Sequence, residues 1–203
     1  MSRIIAGSRG GRRIAMPPGD RTRPTTDRVR EALFSAIAAW AGTAATPPEQ
    51  SLAHLAFCDL YAGSGAVGLE AASRGAHPVL LVERDRRTAQ LTKDNAKALG
   101  LAVDVTISSV EQVLQRPPAR PYDVVFADPP YELDTSAVNA QLQQLVANRW
   151  VAPGSLVVAE RSRRTPDLTW PEAAARCWSR AYGETVLHFG SLERGPSGTE
   201  RAE

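Results

Sequence analysis

Two short stretches of this 203-residue chain hold residue types suited to chemistry. The first, Asp59-Leu60-Tyr61-Ala62-Gly63-Ser64-Gly65-Ala66-Val67-Gly68, is a Gly-x-Gly-x-x-Gly turn behind an apolar run. Turns of this form let a backbone approach a nucleotide-derived ligand closely. The second is Asp128-Pro129-Pro130-Tyr131. By itself it reads equally well as a tight turn ending a strand. It also suits work on an exocyclic amine of a nucleobase, whose lone pair is delocalised into the ring. The Asp128 side chain and the Pro129 carbonyl can accept hydrogen bonds from such an NH2, localising the lone pair and aiming it. Prolines fix the backbone that presents the carbonyl, and Tyr131 can stack on a base removed from its helix. A methyl cation delivered to that nitrogen needs alignment and electrostatics more than a strong base.

The residues around the glycines choose the cofactor. A dinucleotide would set a doubly charged pyrophosphate over the turn, where Asp59 repels it. S-adenosylmethionine brings an ammonium and a sulfonium instead, and Asp59 and Asp128 attract both. Glu83 lies 20 residues beyond Gly63, a spacing suited to a ribose diol. Ser108 and Ser109 end a further strand. Too little chain follows for the substrate domain of a dehydrogenase.

These residues need a scaffold that brings strand ends together. From residue 53 onward, apolar runs alternate with amphipathic ones. Strands are predicted over 55–61, 78–84, 103–108, 122–128 and 154–161. Helices are predicted over 66–75, 86–100, 110–115 and 134–150. The stretch 177–193 has two β-like runs split at Tyr182-Gly183, an antiparallel hairpin at a sheet edge. The expected fold class is α/β: a doubly wound, mostly parallel, seven-stranded Rossmann-like sheet with an antiparallel C-terminal hairpin. In such sheets ligands bind beyond the carboxyl ends of the strands.

Ahead of this lies a basic segment. Residues 1–30 hold eight arginines against Asp20 and Asp27, a local charge of +6, so the remainder carries −4 of the overall +2. The alternation around Gly10-Gly11 predicts a small hairpin, and 26–41 a helix opened by Thr25, Thr26 or Asp27 as cap. The division read from these patterns is 1–50 for the basic hairpin and helix extension, 51–193 for the cofactor-binding domain, and 194–203 for a disordered tail. A basic block is the footprint of phosphate contact. The abundance of arginine over lysine carries no such weight.

Cys58 and Cys177 lie apart with no ligand spacing, so no metal site and a reducing compartment are expected. The chain has no signal-peptide pattern and no membrane-length apolar run, and cytoplasmic localisation follows as the expectation. His54, His77 and His188 stand in no ligand arrangement. Cys58 reads as a small core residue, and Glu160 as an exposed strand-end carboxylate.

The chain resembles class I S-adenosylmethionine-dependent methyltransferases that carry the amino-methylating (D/N)PPY motif. More narrowly, it resembles the bacterial 16S ribosomal RNA guanine-N2 methyltransferases of the RsmD type. The stretches "RIIAGSRGGRRI", "RPTTDRVREALF", "DLYAGSGAVGLEAASRGA", "LVERD", "DPPY" and "YGETVLHF" carry this resemblance. It implies that Asp59, Gly63 and Gly65 line the methionine end, with Tyr61 beside them. Glu83 would hold the ribose hydroxyls next to Arg84, and Ser109 and Val110 would flank the adenine. Asp128, Pro129, Pro130 and Tyr131 would hold the target guanine. Arg3, Arg9, Arg12, Arg13, Arg23, Thr25 and Arg28 would face RNA. The implied partner is 16S ribosomal RNA in the small ribosomal subunit, met by a monomer. Two readings stay open beside this one: a DNA adenine-N6 or cytosine-N4 methyltransferase, and a non-catalytic RNA-binding assembly protein on the same fold.

Overall fold

The computed structural model describes residues 2–17 and 27–193. The predicted hairpin is present as β1 (Ser2–Arg3) paired antiparallel with β2 (Arg13–Ile14). Helix α1 (Asp27–Ala41) follows. Positions 18–26, which include Arg23, Thr25 and Thr26, lie outside the described residues. The core then runs β3 (Phe57–Asp59), α2 (Ala66–Ser73), β4 (Val79–Glu83), α3 (Arg86–Leu99), β5 (Asp104–Ile107), α4 (Val110–Leu114), β6 (Tyr122–Ala127), α5 (Thr135–Ala147), β7 (Val151–Ser162), β8 (Ala174–Tyr182) and β9 (Thr185–Leu192).

Seven strands form one sheet in the order β5-β4-β3-β6-β7-β9-β8. The pairs among β3 to β7 are parallel, and β9 runs antiparallel between β7 and β8. The expected fold class is the observed one. Central strands are apolar on both faces because both are covered: Val124, Val125 and Phe126 of β6 are all within 1% of full burial. Leu33, Phe34 and Ile37 of α1, with Val67 of α2, cover one face. Val110 and Leu114 of α4, with Val138 and Leu142 of α5, cover the other. Cys58 is fully buried in this second core, as its strand position implied.

Local chemistry fixes the element ends. Asp85 caps α3 by accepting from the Thr88 amide at 2.8 Å, and Gly100 closes it in the left-handed region at φ 62°. Ser109 caps α4. The helix predicted over 134–150 stops at Ala147, because Arg149 turns to φ 58° and Trp150 stacks on Tyr122. The strand that follows starts at Val151, three residues before its predicted start. The predicted tail, 194–203, lies outside the described residues.

A hairpin with two-residue strands cannot stand alone. Ile4 and Ile14 are buried against Leu69 of α2 and Ala96 and Leu99 of α3. The carboxylate of Glu70, itself fully buried, accepts from the Ile5 and Ala6 amides at 2.6 and 2.9 Å and from Arg74 at 2.8 Å. Gly7 passes so close to α2 that a side chain there would strike the Ser73 carbonyl at 2.1 Å. The basic extension is thus clamped to the helices behind the glycine turn.

Candidate active site

Strand order reverses between β3 and β6: the chain moves outward through β4 and β5, then returns to β6 and continues to β7. Ligands gather at such a switch point, and a cleft of about 550 Å³ opens there. Each strand end contributes to it. Asp59 to Ser64 come from β3, Glu83 to Asp85 from β4, Ser108 to Glu111 from β5, and Asp128 to Leu133 from β6. Expected site residues from four separated stretches therefore meet in one place. Gly65 stands just behind the lining as the residue before α2. Met16 and Pro17, which follow the hairpin, also line the cleft. Nothing local in the sequence marks those two, because their place depends on how the hairpin docks.

The glycine turn is held from several sides. Gly65 has φ 85°, and a Cβ there would meet Thr92 at 2.8 Å. Glu83 accepts from the Gly63 amide at 3.0 Å and the Asp85 amide at 2.7 Å. Thr92 donates to the Gly63 carbonyl at 2.6 Å. Asn95 donates to the carbonyls of Ser64 and Ala15, both at 3.0 Å, and accepts from the Ala15 amide at 3.0 Å. It therefore joins the glycine turn to the stretch behind the hairpin. Thr92 and Asn95 were not singled out from the sequence. Their signal was legible as polar residues on the buried face of an amphipathic helix.

Asp59 is 1% exposed. One oxygen accepts from the Gly68 amide at 3.0 Å, and the other, Oδ1, has no hydrogen-bond partner. Burial pushes its carboxyl up to about 7; the Gly68 and Tyr61 amides oppose this, while Asp128 and Glu83 add to it. A buried acceptor without a donor fits a cationic amine at that spot. Tyr61 donates to Gln141 at 2.8 Å, and Gln141 donates to Glu111 at 3.0 Å. That network ties the β3 end to α5 and α4.

Past β6, Asp128 is half-buried, Pro129 buried and Pro130 exposed, while Tyr131 is 60% exposed at the mouth of the cleft. The turn closes through the Leu133 amide on the Pro130 carbonyl at 2.9 Å. Arg161, 4% exposed at the end of β7, donates to the Leu133 carbonyl at 2.8 Å. Glu160 corrects an expectation: it is 6% exposed, not an exposed strand-end group. The long β7, paired with both β6 and β9, carries it inside the sheet rather than past the strand end. His54 and His77 are exposed and His188 half-buried. Among the described residues no cluster of three or more metal-ligating side chains occurs, and no helix is long and apolar enough to cross a membrane.

The basic residues sort differently from their even spread in sequence. Arg12, Arg13 and Arg28 are exposed. Arg3 pairs with Asp27 at 3.3 Å, and Arg9 donates to the Leu99 carbonyl at the end of α3. Arg30, fully buried, bonds Ser2, Arg3 and Asp27 and serves the scaffold. The hairpin tip lies by Ser73, at the far end of α2 from the glycine turn, eight helical residues or about 12 Å away.

With this geometry in view, the Conserved hypothetical protein 95 family matches residues 2–191. The chain belongs to that family. Ribosomal RNA small subunit methyltransferase D of Haemophilus influenzae is 33% identical to it over 172 residues, 82% of each chain. The protein of that name from Escherichia coli K12 is 34% identical over 160 residues, 78% of this chain and 73% of that one. Among solved structures, the yhhF chain of Escherichia coli is 28% identical at a TM-score of 0.81, covering 96% of this chain and 99% of its own. The Thermus thermophilus 16S rRNA N2 G1207 methyltransferase, RsmC, in complex with AdoMet and guanosine, shares the fold alone. It is 18% identical at a TM-score of 0.62, over 85% of this chain and 45% of that one.

Proposed function

We propose that this member of the family methylates the exocyclic N2 amine of a guanine in 16S ribosomal RNA of the small ribosomal subunit. Its class is that of an S-adenosylmethionine-dependent ribosomal RNA methyltransferase, which sets the reaction in the cytoplasm beside the ribosome. The carrying observation is the cleft in which Asp59 and Asp128, at the ends of adjacent strands, face one space.

The residues fit the cofactor. Asp59 Oδ1 supplies the unpaired buried acceptor for its ammonium. Glu83, already fixed by two amides, keeps lone pairs for a ribose diol. Gly63 and Tyr61 bound the methionine end, with Gly65 just behind them; Arg84, Ser109 and Val110 bound the adenine side. When bound, S-adenosylmethionine supplies an electrophilic methyl group on a cationic sulfur. Asp128 and the Pro129 carbonyl accept from the guanine NH2 and hold its lone pair out of the ring. Tyr131 stacks on the extruded base. Arg161, through Leu133, keeps the turn in place. Once methylated, the amine is acidic and loses its surplus proton without a dedicated base. Arg12, Arg13 and Arg28 meet RNA phosphates outside the cleft.

The test is transfer of a labelled methyl group to small subunits prepared from cells lacking this protein, followed by identification of the modified nucleoside. N2-methylguanosine is the expected product. Label in adenosine or cytidine, or in DNA offered in parallel, would overturn the proposal. Cofactor binding without any transfer would favour the assembly-protein reading.

A further inference from the structure

The outer strand of the sheet does not line the cleft, and its charged side chains are of one sign. Among the described residues, strand β8 pairs with β9 alone and forms the outer strand of the sheet. Residues 173–183 contain Arg176 and Arg180 and no acid. Side chains alternate along a strand, so Arg176, Trp178, Arg180 and Tyr182 share one face. That face is the one covered further in by α1, since Trp178 and Tyr182 pack against the same core as Phe34. Trp178 lies parallel to Phe189 of β9, with centroids 5.0 Å apart and planes within 2°. The guanidinium of Arg176 sits over the Trp178 ring, 5.2 Å from its centroid. A guanidinium laid on a fixed indole is ordered before any ligand arrives, so less side-chain entropy is lost on binding. Both arginines are exposed, and they stand four residues apart, about 13 Å along the strand.

The strand also points the right way. β7 and β8 are each antiparallel to β9, so β8 ends on the side of the sheet where the cleft opens. Tyr182 and Ser162 both pair with Thr185 there. A polyanion whose base enters the cleft can run down this edge.

We propose that the Arg176–Tyr182 face of β8 is a contact surface for the phosphate backbone of the RNA substrate, its arginines interleaved with aromatic rings. The proposal rests on the reading of the substrate as RNA. It places an RNA contact on the β8 edge of the sheet, away from the N-terminal hairpin docked on α2 and α3, so that the substrate is gripped on both sides of the target base. Charged residues on an edge strand also deter strand-to-strand aggregation. That role is indifferent to the sign of the charge, which makes charge reversal the discriminating change.

The experiment uses the full chain and an in vitro transcript of 16S ribosomal RNA. Arg176→Glu/Arg180→Glu is compared with wild type and with Arg116→Glu/Arg120→Glu, an exposed pair ahead of β6 at the other end of the sheet. The β8 pair is expected to lose about 10-fold or more in transcript affinity, and its salt slope to fall by about 1.4. Cofactor affinity by calorimetry should not change, and the control pair should lose clearly less. Unchanged RNA affinity and slope in the β8 variant would overturn the proposal and leave edge protection as the role of these arginines. Equal losses in the control pair would overturn it too, by showing only a net-charge effect. The guanine-methylation reading is judged separately, by methyl transfer. A wild type that binds the transcript and loses that binding in the β8 variant, yet transfers no methyl group to small subunits from cells lacking this protein, would keep this surface and sink that reading.

Discussion

The two turns that frame the cleft follow adjacent strands, in register at Asp59 and Phe126, and they are built in opposite ways. The glycine turn is an interior structure. Its acid is 1% exposed, and its carbonyls and amides are tied up by Glu83, Thr92 and Asn95. The Asp-Pro-Pro-Tyr turn is stiffened by its own rings and by bonds that include two at Leu133, and it leaves Tyr131 60% exposed. A small cofactor common to every cycle is served by a preformed cradle. A base that must leave a large folded RNA is served by an accessible, stiff lip. The difference separates binding from reaction, and substitutions should divide along the same line.

The largest effect is expected at Asp128. Asp128→Ala should cut the single-turnover rate at saturating cofactor by about 10²-fold or more, a loss larger than the one it causes in cofactor affinity. Asp128→Asn keeps one carbonyl acceptor and should recover part of the loss. If Asn is as slow as Ala, the carboxylate acts as a base and the acceptor model fails. On the cradle side, Glu83→Ala removes a charged acceptor from both the ribose and the turn. It should cost about 1.5–3 kcal/mol of cofactor affinity, read by calorimetry, while the rate at saturation stays close to wild type. Glu83→Gln should fall between them. A rate loss matching the affinity loss would break the division.

Tyr131→Ala should raise KM for small subunits by the worth of one stacked base, about 1–3 kcal/mol, and Tyr131→Phe should restore it. The smallest effect is a pH dependence. The Asp59 carboxyl is raised by burial to about 7 from an ordinary 3.8, so the free protein binds a proton there that the unfolded chain releases. Its contribution favours folding below about pH 4 and is lost as pH rises through 7. The bound cation favours the ionised form, so the rise in Tm on adding S-adenosylmethionine should grow from pH 5.5 to 7.5. Asp59→Asn should flatten that growth, and an equal slope in the variant would remove Asp59 from the cofactor site.

The parallel core was legible because its signals are local. Buried strands read as apolar runs, and Gly100 closes its helix where the pattern placed the end. The cleft was legible for the same reason, since a doubly wound sheet brings its strand ends together wherever the strands are correctly found. What escaped depends on contacts between distant segments. Nothing near Glu70 announces that its carboxylate receives two amides from residues 65 and 64 positions earlier. Arg30 entered the sequence reading only as part of the basic block's charge, yet it is buried among Ser2, Arg3 and Asp27. Glu160 was misread because β7 extends further along its neighbours than its apolar run suggests.

The insertion of β9 between β7 and β8 bears on how the molecule is made. Synthesis runs from the amino end, so β8 emerges when the strand that must sit inside it does not yet exist. Until Thr185–Leu192 has been produced, β7 has a bare flank and β8 has nothing to pair with. The five parallel strands can assemble earlier, because each finds its neighbour already present or next to appear. Closing the sheet is therefore a late event in the life of the nascent chain. The interval before it is when two unsatisfied strand edges are open to proteases and to other chains.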